Sequence, residues 1–155
     1  MRALVVFDSA YGNTEQIAKE IADGIGVQDL KTLRASEAGA ADLSGVELLV
    51  VGSPTQGGRP TKAVQDFLKA LPSGSLKNIK TAAFDTRITK GGIGTFAKIF
   101  GYAANRIESD LKRRGSVHLS SEGFAVKGSE GPLHEGELER AKGWGGKLAS
   151  RSGPT

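Results

Sequence analysis

Cysteine is absent from the 155 residues. That excludes disulfides, cysteine-ligated iron–sulfur or zinc centres and thiol redox chemistry within the chain. Histidine occurs only at His118 and His134, with no Cys or Glu cluster in ligand spacing around them, so the sequence offers no metal-site pattern. No Gly-x-Ser-x-Gly elbow is present to support serine hydrolase chemistry. No apolar run approaches the roughly 20 residues that a membrane helix needs. Strand-forming residues begin directly after Met1-Arg2, which leaves no room for a signal or transit peptide, and the expectation is a soluble cytoplasmic protein. Internal repeats, low-complexity segments and linkers are also missing. A single domain over residues 1–151 with a frayed tail at 152–155 is therefore expected. What the chain does have is glycine, 22 residues of it, and a modest basic excess of +4 spread along its length.

The apolar spacing alternates between short buried strands and amphipathic helices, the pattern of a parallel sheet covered on both faces. Strands are predicted at residues 3–7, 28–33, 48–52 and 81–84. A last strand, interrupted, is predicted at 117–119 and 124–126. Helices are predicted at 14–23, 61–70, 96–112 and 136–149. Their inward stripes read Ile17, Ala18, Ile21, Ala22 and Ile25 in the first, and Ala63, Val64, Phe67, Leu68 and Leu71 in the second. The third presents Phe96, Phe100, Ala103, Ile107 and Leu111, and the fourth Leu138, Ala141, Trp144 and Leu148. Gly24 and Gly26 are expected to end the first helix, and Leu43 to pin a single turn at 41–45.

The most informative run is Val5-Val6-Phe7-Asp8-Ser9-Ala10-Tyr11-Gly12-Asn13-Thr14, followed by Ala18 and Ile21. It delivers a buried strand into a short polar loop and then into a helix. The first N–H groups of that helix lack intrahelical partners and face the loop with the positive end of the dipole, an arrangement suited to a phosphate. Ser9 and Thr14 add hydroxyls, and Gly12 lets the backbone approach closely. The loop matches neither Gly-x-x-x-x-Gly-Lys nor Gly-x-Gly-x-x-Gly.

On these residues the chain resembles the flavodoxin family, whose signature is an aliphatic-aromatic strand end, Ser/Thr-x-x-Gly-x-Thr, and then Ala and Ile on the helix. The resemblance covers essentially the whole chain. It implies an α/β fold with a doubly wound five-stranded parallel sheet in the flavodoxin-like order 2-1-3-4-5, helices on both faces, and a ligand crevice at the carboxyl ends of the strands. The long-chain insertion in the last strand is missing, as in short-chain members. The implied cofactor is FMN, with its phosphate held by Ser9, Ala10, Tyr11, Gly12, Asn13 and Thr14. The loop Ser53, Pro54, Thr55, Gln56, Gly57 and Gly58 is similar to the ring-binding stretch of the family, in which a glycine peptide flips toward the flavin N5. Asp85, Thr86 and Arg87 are the implied partners of the ring's pyrimidine edge. Two departures stand out. Tyr11 replaces a position that is often Thr, and neither ring loop carries an aromatic residue, so that only Tyr11, Phe96 or Tyr102 is placed to stack.

The resemblance implies electron transfer through the semiquinone and hydroquinone states of the flavin. Two alternatives stay open. One is an NAD(P)H-dependent FMN oxidoreductase acting on a quinone or similar small acceptor, and the other a non-redox binding module on the same fold. The implied partner is a redox protein, an acidic one on the basic balance of the chain, or NAD(P)H, with no nucleic acid. Arg59, Lys62, Arg87 and Lys90 flank the proposed ring site and are expected to draw in anions and to make the flavin potential less negative. Gly92-Ile93-Gly94-Thr95-Phe96-Ala97 fits a dinucleotide pattern only formally and reads as a lid, and Lys112-Arg113-Arg114 reads as a solvated helix end.

Overall fold

The structure, a computed structural model, describes residues 1–89 and 101–153. Five parallel strands form one sheet in the order β2-β1-β3-β4-β5. They are β1 (Arg2–Phe7), β2 (Asp29–Arg34), β3 (Leu48–Pro54), β4 (Lys80–Ile88) and β5 (Val117–Val126). Among the described residues four α-helices pack on them: α1 (Asn13–Ile25), α2 (Lys62–Ala70), α3 (Ala103–Arg113) and α4 (Glu137–Ser152). The expected topology is the observed one.

Successive side chains of a strand point to opposite faces, so a strand covered on both sides must be apolar throughout. β1 and β3 show this directly. Leu4, Val6, Leu49 and Val51, with Ala83 of β4, face Val64, Phe67 and Leu68 of α2 and Ile107 and Leu111 of α3. Their neighbours Val5, Phe7, Leu48 and Val50, with Phe84 of β4, face Ile17, Ala18 and Ile21 of α1 and Ala141, Trp144 and Leu148 of α4. On that second face Phe84, Phe124 and Trp144 meet edge to face, with centroids 6.1–6.4 Å apart. Phe84 fits because Gly52 opposite it has no Cβ; one built there would lie 2.0 Å from the ring.

Several boundaries differ from the sequence pattern, each for a physical reason. The first helix runs on to Ile25 and ends at Gly26, which is left-handed at φ 65. Gly24 does not end it but lets α4 approach, since a Cβ on Gly24 would lie 2.0 Å from the Lys142 carbonyl oxygen. β4 continues to Ile88 rather than stopping at Phe84. Its last residues, Asp85, Thr86 and Arg87, break the apolar pattern, yet Asp85 and Thr86 pair with both β3 and β5, and Arg87 with β5. β5 is one continuous strand, with a register irregularity opposite Thr81 and Ala82. Being an edge strand, it tolerates the half-buried polar run Ser120, Ser121 and Glu122. In α4 the inward position of the first turn belongs to Glu137, not Leu138, which is exposed. Ser152, expected in a frayed tail, is helical and buried, its hydroxyl donating to the Leu148 carbonyl at 2.6 Å. Of the predicted 96–112 helix, Ala103, Ile107 and Leu111 are buried as expected. Phe96 and Phe100 lie outside the described residues, as do Lys90 and the 92–97 pattern.

Two glycines of α4 separate close packing from open surface. A Cβ on Gly145 would fall 2.2 Å from the Ile21 backbone oxygen, whereas one on Gly143 meets nothing within 4 Å. Gly145→Ala should therefore destabilise by about 1–3 kcal/mol, the usual cost of overpacking against backbone. Gly143→Ala should stabilise by about 0.5–1 kcal/mol through reduced unfolded-state freedom. Urea denaturation of both variants checks the pair, and equal shifts of the two midpoints would overturn the packing argument.

Candidate functional site

At the carboxyl ends of β1, β3 and β4 lies a cleft of about 240 Å³. Its walls are Ser9, Ala10, Tyr11, Asn13 and Thr14 from the first loop, Pro54, Thr55 and Gln56 after β3, and Thr86 from β4. The sequence had singled out all nine. Ile88, Val126 and Ser129 also line it and were missed. The loop after β5 carries no motif, and only the register that places Val126 beside Ile88 brings it to the cleft.

The first loop is organised around its own donors. Ser9 Oγ accepts the Gly12 N–H at 3.0 Å and the Glu15 N–H at 3.3 Å. Gly12 takes φ 91, a left-handed value that starts the helix without a side-chain clash. The N–H groups of Ala10, Tyr11, Asn13 and Thr14 find no hydrogen-bond partner among the described residues. Four unpaired donors converging beside a cleft are the chemistry of an anion site. The Thr14 hydroxyl is almost wholly buried and exchanges a 2.8 Å hydrogen bond with the Thr86 hydroxyl, which ties the loop to β4. Outside the loop, Arg34 at the end of β2 donates to the Ser9 carbonyl at 3.4 Å and pairs with Glu15 at 3.2 Å. Its charge is thus spent on bracing the loop, and no Lys or Arg among the described residues lines the cleft itself.

The loop after β3 is a tight turn. Gln56 and Arg59 exchange backbone hydrogen bonds of 2.9 and 3.1 Å, and Gly57 and Gly58 between them have φ 57 and 78. Two consecutive positive φ values are a conformation that glycine adopts freely and β-branched residues resist. Ser53 points away from the cleft and is fully buried; its hydroxyl accepts the Thr61 N–H at 2.9 Å and so holds the start of α2. Thr55 Oγ1 accepts the Ala103 N–H at 3.2 Å, anchoring α3 in the same way.

Asp85 and Arg87 do not line the cleft. The Arg87 guanidinium donates to both Asp85 oxygens, at 2.7 and 2.8 Å, and its carbon sits 3.7 Å from the Tyr102 ring centroid. Asp85 also accepts the Ala104 N–H at 3.0 Å. Burial pushes the Asp85 carboxyl up, against the hydrogen bonds and charge of Arg87. The pair therefore fixes the end of β4 against α3 from within, and Tyr102 serves as its lid rather than as a wall of the cleft. Tyr11 does line the cleft but is 59% exposed. Of the four cations expected at the ring, Arg87 is internally paired, Lys62 pairs with Asp66 at 2.7 Å, and Lys90 lies outside the described residues. Arg59 faces a different groove, between α2 and α3.

The loop after β5 is held at both ends. Glu137 accepts the Ala125 N–H at 2.7 Å and pairs with Arg140. Arg140 in turn reaches Glu122 and lies 4.4 Å over the Phe124 ring. Gly131 abuts the Asn13 amide, leaving no room for a Cβ, which would lie 2.6 Å from its oxygen. His134 Nε2 donates to the Thr89 carbonyl at 2.9 Å, while His118 lies elsewhere, between Thr81 and Ser121.

Fold and cleft together define a doubly wound α/β protein whose cleft, lined by residues with unpaired N–H groups among the described residues, lies at the switch point between β1 and β3. The flavodoxin family model matches residues 5–144, and the chain belongs to the flavodoxin family. Flavodoxin 2 of Bacillus cereus is similar to it with a TM-score of 0.76 at 20% identity, over 97% of this chain and 99% of that one. A flavodoxin from the domain Archaea gives 0.71 at 20% identity, over 98% and 99%. The two-electron reduced flavodoxin of Megasphaera elsdenii gives 0.70 at 22% identity, over 96% and 98%. No curated protein sequence matches the chain. The family implies a flavin cofactor, typically FMN.

Glu137 gives the site a measurable pH dependence. Burial raises its pKa, but the hydrogen bonds from Arg140 and the Ala125 N–H outweigh that and leave it below the ordinary 4.5. A depressed carboxylate contributes stability that is full above the unfolded value and is lost as the pH falls through the folded one. The stability difference between wild type and Glu137→Gln, from urea denaturation, should be widest near neutrality and close on acidification below about pH 4.5. A difference independent of pH would show that the charge of Glu137 plays no part.

Proposed function

We propose that this flavodoxin-family protein binds FMN and carries electrons one at a time between redox partners. The observation that supports this reading is the set of four unpaired N–H groups at Ala10, Tyr11, Asn13 and Thr14 beside the cleft. A terminal phosphate supplies the acceptors these donors lack, and it does so where the α1 dipole favours negative charge. Bound FMN supplies reversible one- and two-electron chemistry.

The residues of the chain would divide the remaining work. Ala10, Tyr11, Asn13 and Thr14 would hold the phosphate, with Ser9 and Gly12 shaping the loop. Pro54, Thr55 and Gln56 would border the ring on one side, and Thr86, Ile88 and Val126 on the other. Ile88 is 55% exposed at the end of β4, so an aliphatic side chain stands where an aromatic wall was looked for in vain. The Gly57–Gly58 peptide would present a carbonyl toward the ring, which its two left-handed residues allow at low steric cost. Ser53, Asp85 and Arg87 would act from behind, holding α2 and α3 so that the cleft keeps its shape. With no cation among its described lining, the cleft supplies neutral donors and its own dipole rather than a charged clamp.

Two measurements test this. Thr14→Ala keeps the N–H but removes the hydroxyl, which, when it accepts from Thr86, is free to donate to a phosphate. Losing such a charge-assisted hydrogen bond, worth about 1.5–3 kcal/mol, should weaken FMN roughly ten- to a hundredfold while leaving riboflavin unchanged. Quenching of flavin fluorescence reads both affinities, and equal wild-type affinity for FMN and riboflavin would sink the phosphate assignment. Replacing Gly57 or Gly58 by Val should narrow the separation between the two one-electron midpoint potentials more than it weakens oxidised FMN. Unchanged potentials in both variants would reduce these glycines to turn residues.

A further inference from the structure

The basic residues expected around the cleft are found beside it. Between α2 and α3 runs an open groove of about 460 Å³ whose walls include Arg59, Gln65, Asn105, Arg106, Ser109 and Arg113. Its only carboxylate among the described residues is Asp110, which pairs with Arg113 at 3.3 Å. Arg59 and Arg106 make no ion pair among the described residues. Three guanidinium groups against one carboxylate leave the groove cationic, in contrast to the cleft, which has no cation among its described lining.

We infer that this groove is the docking site for carboxylate side chains on the surface of an acidic partner protein. The inference rests on the electron-carrier reading only in naming that partner a redox protein. The guanidinium fork matches carboxylate and phosphate alike through two parallel hydrogen bonds. Two features favour carboxylates on a protein over a nucleotide. Arg106 and Arg113 lie seven residues apart on one helical face, roughly 10 Å along the axis, a spacing that suits separate side chains on a partner surface. Pro60 is the single apolar residue in the described lining, so there is no aromatic or aliphatic floor for a base, whereas small-molecule sites are predominantly apolar.

The groove is also placed to matter for electron transfer. Gln56 lines the cleft and Arg59 lines the groove, and the two are paired across the same tight turn. Hydrogen-bonded antiparallel partners of this kind have Cα atoms about 5.5 Å apart. A partner seated on Arg59 therefore rests against the wall of the cleft.

The test is an NMR titration of the FMN-loaded, ¹⁵N-labelled protein with an octaglutamate peptide and, separately, with NADP⁺, both at low ionic strength. Peptide-induced shifts should concentrate at Arg59, Gln65, Asn105, Arg106, Ser109 and Arg113. Reversing Arg59, Arg106 and Arg113 to Glu should weaken the peptide at least tenfold. Reversing the exposed Lys31, Lys142 and Lys147, which stand on β2 and α4 away from the groove, to Glu should change it less than threefold. If the groove triple variant fails to fold, Arg106→Gln alone should still weaken the peptide about two- to fivefold. Equal losses in the two triple variants, shifts centred elsewhere, or NADP⁺ filling the groove more tightly than the peptide would each overturn the proposal. FMN binding is read separately by fluorescence, and the titration runs equally on flavin-free protein, so the failure of either reading leaves the other decidable.

Discussion

The interior strands of a parallel sheet buried on both faces have only one outlet for unpaired backbone, their ends. β1 and β3 are apolar at nearly every position because α1 and α4 cover one face and α2 and α3 the other. Buried N–H and C=O groups must be paired, and within the sheet the ladders pair them. The described donors that stay unpaired beside the cleft, at Ala10, Tyr11, Asn13 and Thr14, sit where β1 gives way to α1 at the switch in strand order. The cluster of unpaired donors is thus a consequence of how the sheet is covered, and the loop residues refine it.

Around that outlet three charged arrangements fix the surrounding segments. Arg34 braces the first loop through Ser9 and Glu15. Asp85 and Arg87 lock the end of β4 to α3, and Glu137 with Arg140 locks β5 to α4. The buried Asp85–Arg87 pair contributes little net stability, because desolvation offsets the Coulomb attraction, whereas breaking it leaves a costly unpaired charge, and solvent screens the two partly exposed arrangements. Their effect is geometric. Each removes a way for one wall of the cleft to move relative to the others.

The same bookkeeping of charge separates two surfaces that a linear reading merges. Arg59, Lys62 and Arg87 belong to the two segments that flank the proposed ring site, yet they end in three environments. One opens onto a groove, one pairs along its own helix, and one is buried against Asp85. Which charges act together depends on the partner each side chain meets, and membership of a site-flanking segment does not decide it.

The order of strands and helices, the two apolar faces and the phosphate-type loop were legible in the residues, because hydrophobic period and turn chemistry are local. Nine of the fifteen proposed site residues line the cleft for the same reason: they belong to loops whose position follows from the fold. What was not legible depended on contacts across the sheet. The polar end of β4 is a strand only because β3 and β5 pair with it, and Asp85 is tolerable there only because Arg87 neutralises it. Gly24 looked like a helix stop and is instead the place where α4 touches α1. Ile88, Val126 and Ser129 entered the cleft through strand register, and Leu138 yielded its inward place to Glu137, whose carboxylate meets a buried N–H of β5. The sequence by itself determined the order of strands and helices and where helix N–H groups would stand without partners, since those follow from side-chain period and helix geometry. Only the tertiary structure decided which polar side chains face the cleft and which are bound inside, because that depends on the partner that burial brings within hydrogen-bonding distance.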